Sequence, residues 1–109
     1  MIYHIALPGD WMAAQAEGVY TVSTRGRSLA TEGFIHASDS LEQVEAVRQF
    51  VYDDLEDLLL LEIDESKVDS PIVREIPPGA DQEFPHIYGP LPLSAVTGVR
   101  KLTALPPRR

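Results

Sequence analysis

The stretch Leu58 to Ile63 is apolar at every position except Glu62, and it constrains the fold more than any other segment. A continuous apolar run of this length predicts a central strand. A short buried helix is the competing reading, because periodicity alone does not separate the two. The remaining apolar residues fall in short runs cut by proline and glycine. At 109 residues, with 44% hydrophobic and 24% charged residues, the chain fits one domain with one core.

Around that run the sequence reads as strand, helix, strand and helix, then mostly strands. Ile2 to Leu7 is predicted as a strand ended by Pro8-Gly9. Asp10 is predicted to cap a helix over Trp11 to Glu17, with Gly18 as its stop. Val19 to Val22 reads as extended, Ser23 to Ser28 as a polar loop, and Gly33 to Ala37 as a second short strand. Ser40, with Gln43 three residues on, forms a capping-box pattern for a helix to about Asp53, its apolar face made by Leu41, Val44, Val47 and Val51 and widened by Phe50. Strands are expected over Ile72 to Ile76, Glu83 to Tyr88 and Val99 to Leu102, with Pro85 at a strand start or on an edge because it lacks a donor. Pro77 to Asp81 should turn, Gly89 to Pro92 should break regular structure, and Leu93 to Val96 should form one helical turn. The order predicts an α+β domain over residues 1–104 and a frayed tail over 105–109.

The chain has no cysteine, which removes disulfides, thiolate metal sites and a cysteine nucleophile. A net charge of −8 argues against an extended nucleic-acid surface, which needs clustered cations. The start has no basic region before its apolar residues, and Leu58 to Leu61 is too short to span a bilayer. A soluble, cytoplasmic protein is expected, with no membrane partner and with protein partners left open.

Candidate chemistry centres on His4, His36 and His86, each at a predicted strand position between apolar neighbours. A buried imidazole needs a partner for both nitrogens, and an unpaired polar group costs about 1–3 kcal/mol. A shared cleft avoids three such costs. The alternatives are three separately bonded structural histidines, or a zinc site of three imidazoles and water; no metal-ligand spacing supports the latter. Arg25 and Arg27 bracket Gly26 and suit either a phosphate clamp or a solvated loop. Asp53, Asp54, Glu56 and Asp57 read as a solvated helix end. Alternation puts Glu83 on the face opposite His86 and Tyr88.

Tyr3-His4-Ile5, the stretch Glu32 to Ser38 (EGFIHAS), the stretch Phe84 to Leu91 (FPHIYGPL) and the intervening Leu58-to-Asp64 strand resemble the small bacterial family labelled domain of unknown function 952, over roughly Met1 to Leu102. The resemblance implies a fold similar to ADP-ribosyltransferases, with two small split sheets around a cleft and two main helices outside. It also implies roles: His4 orienting the nicotinamide ribose of NAD, His36 in the place of the aromatic residue that stacks on nicotinamide, and His86 or Glu83 in the third position, usually a glutamate. The implied ligand is NAD, ADP-ribose or a related phosphorylated nucleotide, with NAD as a substrate, no resident cofactor, and ADP-ribosyl or glycosyl transfer or hydrolysis as the chemistry. Tyr3, Arg25, Arg27, Ser38, Glu83 and Tyr88 complete the expected ligand-binding set. A histidine where that set carries a carboxylate stabilises an oxocarbenium-like transition state poorly. The alternative reading is therefore a non-catalytic ligand- or protein-binding module.

Overall fold

A computed structural model describes residues 1–102; the tail expected to fray, 105–109, lies outside the described residues. In chain order the elements are β1 (Ile2–Ala6), α1 (Pro8–Glu17), β2 (Val19–Tyr20), β3 (Val22–Thr24), β4 (Arg27–Ser28), α2 (Leu29–Glu32), β5 (Ile35–His36), α3 (Leu41–Val51), β6 (Leu58–Ile63), β7 (Ile72–Glu75), β8 (Phe84–Ile87), β9 (Leu91–Pro92) and β10 (Val96–Leu102), with single 3-10 turns at Glu65–Lys67 and Leu93–Ala95. The class is α+β. The strands form two three-stranded antiparallel sheets, β1-β6-β10 and β5-β8-β7, and two short pairs, β2-β9 and β3-β4.

The apolar run does form the centre of the first sheet, and the two faces of β6 meet different cores. Leu59, Leu61 and Ile63 pack into a cluster with Ile2, Ala6, Tyr20, Ile35, Ile87 and Leu91. Leu58 and Leu60 pack into a second cluster with Ile5, Val44 and Tyr52, beneath α3. Successive strand residues point to opposite faces, so burial on both sides requires apolar residues at every position. Glu62 is tolerated because it is half-buried and its carboxylate reaches Arg100 at 3.6 Å.

Several expectations need correction. Asp10 does not cap the first helix: the helix starts at Pro8 with Leu7 as N-cap. Proline suits a first helical position, and Asp10 instead places its charge in the first turn, near the positive helix end. Ser40 does cap α3, its Oγ accepting from the Gln43 N–H. The helix ends at Val51, not at Asp53, because Tyr52 turns inward and is buried. Phe50 does not join the core face; it is 89% exposed. The expected loop at Ser23 to Ser28 is a tight hairpin, β3-β4, turning through Gly26 at φ 71°. Leu91-Pro92 is a strand rather than a break and pairs with β2.

Pro85 lies neither at a strand start nor on an edge. It is the second residue of β8, the middle strand of its sheet. Its carbonyl accepts from the Ala37 N–H, so its nitrogen also faces β5, where the ladder ends. The missing donor therefore removes a bond only beyond His36, and pairing to β7 is untouched.

Leu61 is fully buried at the middle of the central strand. Leu61→Ala is expected to cost about 2–5 kcal/mol in urea unfolding, whereas Val99→Ala, at a 42% exposed position of the same sheet, should stay within about 1 kcal/mol.

Candidate functional site

His4 points from β1 into the first core and is 3% exposed. Its Nδ1 lies 2.6 Å from the carbonyl oxygen of His36 and its Nε2 lies 2.8 Å from Tyr20 Oη. A carbonyl only accepts, so Nδ1 carries the proton and the Tyr20 hydroxyl donates to Nε2. Burial lowers the His4 pKa to about 4, partly offset by the carbonyl bond. The ring is therefore neutral at pH 7. Burial, with Asp10 and Tyr52 nearby, also pushes the Tyr20 hydroxyl up, so it stays protonated. Both nitrogens of His4 are committed within the protein.

His36 and His86 face one another across β5 and β8. Because Ala37 and Pro85 occupy the hydrogen-bonded position, the His36–His86 pair is the non-hydrogen-bonded one, where side chains come closest. His36 Nδ1 and His86 Nε2 are 3.3 Å apart. On the far side, His86 Nδ1 lies 2.8 Å from Glu75 Oε1. Glu75 sits diagonally across the β7-β8 ladder on the same face. The Tyr88 hydroxyl donates to the same oxygen, and these two bonds hold the Glu75 carboxyl below the usual range while the carboxylate pushes the Tyr88 hydroxyl up. Phe34 stacks on the His86 ring at 4.0 Å between centroids and 15° between planes.

The carboxylate sets one end of the chain. Glu75 accepts, so His86 Nδ1 carries a proton; in the tautomer in which His86 accepts at Nε2, His36 donates from Nδ1. His36 Nε2 is left with a bare lone pair and has no partner among the described residues. Burial, with His4 and His86 nearby, lowers the His36 pKa to about 4, so that lone pair is free at neutral pH. A proton taken up there can be answered by a shift of the Nδ1 proton to His86, leaving the positive charge against Glu75.

His36 also lines a cleft of about 500 Å³ between α3 and the turn before β8, walled by Val47, Phe50, Val51, Pro77, Pro78 and Phe84, with Thr24, Asp81 and Gln82 as its polar members. His4 and His86 do not line it. His4, His36 and Thr24 instead share a second, much smaller void of about 10 Å³ with Ser23, Ser38, Tyr3 and Tyr52.

The other expected residues are placed as follows. Tyr3 and Ser38 bond backbone to backbone, 2.8 and 2.7 Å, tying β1 to the segment after β5. Arg25 forms a two-pronged pair with Asp54, at 2.5 and 2.8 Å, and reaches the Val51 carbonyl at the cleft rim. Arg27 pairs with Glu32. No arginine clamp is assembled, since each fork already holds a carboxylate. Glu83 is exposed and contributes its carbonyl to the Gln43 amide; the carboxylate beside His86 is Glu75. Among the described residues no group of three or more ligating side chains is placed to hold a metal ion, and His4 has no nitrogen to spare for the zinc alternative. No helix is long and apolar enough to cross a membrane.

Sequence reasoning missed Glu75, Tyr20 and Phe34. Glu75 and Phe34 carried a readable signal: if Ile72–Ile76 and Glu83–Tyr88 form a hairpin, Glu75 lands beside His86, and Phe34 shares a strand face with His36.

The family model described as protein of unknown function (DUF952) matches residues 5–99. Two crystal structures of protein CC0527 from Caulobacter crescentus, one of them a double mutant, are 29% identical in sequence to this chain, with TM-scores of 0.77 and 0.76 over 92% of this chain and 83% of that one. The solution structure of the same protein gives 29% identity and a TM-score of 0.75 over 94% and 84%. No curated protein matches the chain.

His4 and His36 each hold a pKa near 4 in the fold against about 6.5 unfolded. The unfolded chain thus binds protons that the native state does not, and stability falls as pH drops from 6.5 toward 4. The slope should approach about 1.4 kcal/mol per pH unit for each histidine. Urea midpoints between pH 7 and 4.5 measure it, and His4→Gln should lower the slope by up to one proton.

Proposed function

The chain belongs to the DUF952 family of proteins of unknown function, and we propose that it is a small-molecule enzyme whose cleft takes a nucleoside-type ligand and whose general base is His36. The observation that carries this reading is the hydrogen-bonded chain from Glu75 through His86 to His36, ending in a bare Nε2 on a residue of the cleft wall. A carboxylate that orients one imidazole, which in turn orients a second, is the arrangement a base needs to hold its tautomer and to spread the charge it acquires. The cleft volume is ordinary for a small ligand. Its wall is mostly apolar, which suits the flat face of a base, and Thr24, Asp81 and Gln82 offer partners for ribose hydroxyls.

NAD and ADP-ribose, which the family resemblance implies, are members of this ligand class. The ADP-ribosyltransferase-like fold is part of the same proposal, supported by the two small three-stranded sheets. In this version the roles shift. His4 holds the strands together through its bonds to the His36 carbonyl and Tyr20, and Glu75 supplies the carboxylate that the third position otherwise lacks. Phosphates would meet Arg25 at the rim, released from Asp54. Both partners are exposed, and exchange of one anion for another costs little in such a pair. The overall charge of −8 disfavours a heavily phosphorylated ligand, so nucleosides without phosphates should compete well.

Calorimetric titration with nicotinamide riboside, NAD and ADP-ribose tests the reading. Binding is expected with at least one of them, weakened tenfold or more by His36→Ala. Nicotinamide release should fall at least about 100-fold in Glu75→Gln, with little change in affinity. Absence of heat with all three ligands at millimolar concentration sinks the proposal. Binding without release would favour the non-catalytic module.

A further inference from the structure

Ser23 Oγ is the one fully buried side-chain polar atom without a hydrogen-bond partner among the described residues. Ser23 itself is 1% exposed, in a strand whose neighbours Val22 and Thr24 are only half-buried. An orphaned hydroxyl in a packed interior is costly and calls for a partner. The void of about 10 Å³ that Ser23 lines is the size of one water. Two further groups around it have unused bonding capacity. The Tyr52 hydroxyl accepts from the Arg25 N–H at 3.1 Å, and its own hydrogen has no acceptor. His36 Nε2 has a lone pair without a donor. Two to four polar partners are what a buried water requires. The void and the large cleft share Thr24, His36 and Val47 as walls.

We infer that this void holds a single water between Ser23, Tyr52 and His36, and that this water is the acceptor in the reaction at the cleft. Ser23 is thereby a positioning residue, and the chemistry is hydrolysis rather than transfer to a second substrate. The acceptor role rests on the nucleoside reading given above; the water site does not. In the step, the water oxygen forms a bond to the anomeric carbon of the ribose as the carbon–nitrogen bond breaks. The bond's electron pair leaves with the base, and the water proton passes to His36 Nε2. With a pyridinium base the leaving group departs neutral and needs no proton.

The test uses the full chain without ligand, then with nicotinamide riboside. A crystal structure at near-atomic resolution is expected to show one water within hydrogen-bond distance of Ser23 Oγ and His36 Nε2, absent or displaced in Ser23→Val. Ser23→Ala, which leaves room and adds no bulk, guards against a folding failure of the valine variant. Both variants should bind nicotinamide riboside as the wild type does and lose between about 10- and 100-fold in turnover. In water labelled with oxygen-18 the ribose product should carry the label. A dry void, or a water out of reach of His36, overturns the inference even when nucleosides bind. A water in place with no nucleoside binding overturns the acceptor role together with the proposed function, and leaves only a structural water. Unchanged turnover in both variants also overturns it.

Discussion

The imidazole of His4 is the joint at which three sheets meet. It stands on β1, donates to the backbone carbonyl of His36 on β5 and accepts from Tyr20 on β2, and each of these strands belongs to a different sheet. A bond to a main-chain carbonyl fixes position more tightly than a bond between two flexible side chains. Where β1 goes, the backbone of His36 goes too, and with it the His36 ring and the cleft wall. The paired backbone bonds of Tyr3 and Ser38 repeat the link one residue away on β1 and two residues past His36. The first sheet, whose rigidity comes from β6 buried on both faces, thereby sets the geometry of the second.

The second sheet uses that rigidity differently. One face of β5-β8-β7 carries Phe34, His36, His86, Tyr88 and Glu75 in mutual contact. The Phe34 face covers His86 and keeps water from its ring, while Glu75 meets that ring from a half-exposed position on β7. His36 is the member of the group that reaches the cleft. A proton acquired at the wall can thus be balanced by a carboxylate two side chains away, through an imidazole that is itself buried.

Much of the fold was legible because it follows local rules. The run at Leu58 announced a central strand, Ser40 with Gln43 announced a helix start, and Gly18 announced a helix end. What escaped is set by distant pairing. The start of α1 is the exception, since Pro8, two residues before Asp10, is itself a local start signal, but nothing near Phe50 reveals that its side of α3 faces a cleft instead of a core. The histidines stood out as candidates because an imidazole inside an apolar run needs a partner. Which partner could not be read. Tyr20 meets His4 only through the packing of β2 against β1, and Glu75 meets His86 only in the register of the β7-β8 ladder. Ser23 sat in what looked like a polar loop, and its burial depends on the hairpin folding back over β1 and β5.

Pro85 has a role in this routing that goes beyond its place in a strand. Without an N–H it offers Ala37 one bond instead of two, so β5 ends after two residues and the chain is released at Ala37-Ser38 to pair with Tyr3 of the other sheet. A residue able to donate at position 85 would hold that segment longer against β8 and pull Ser38 away from its crossing. The imino acid acts as a railway point: by withholding one bond it passes the backbone from one sheet to the next, directly beside the two imidazoles that must stay in line.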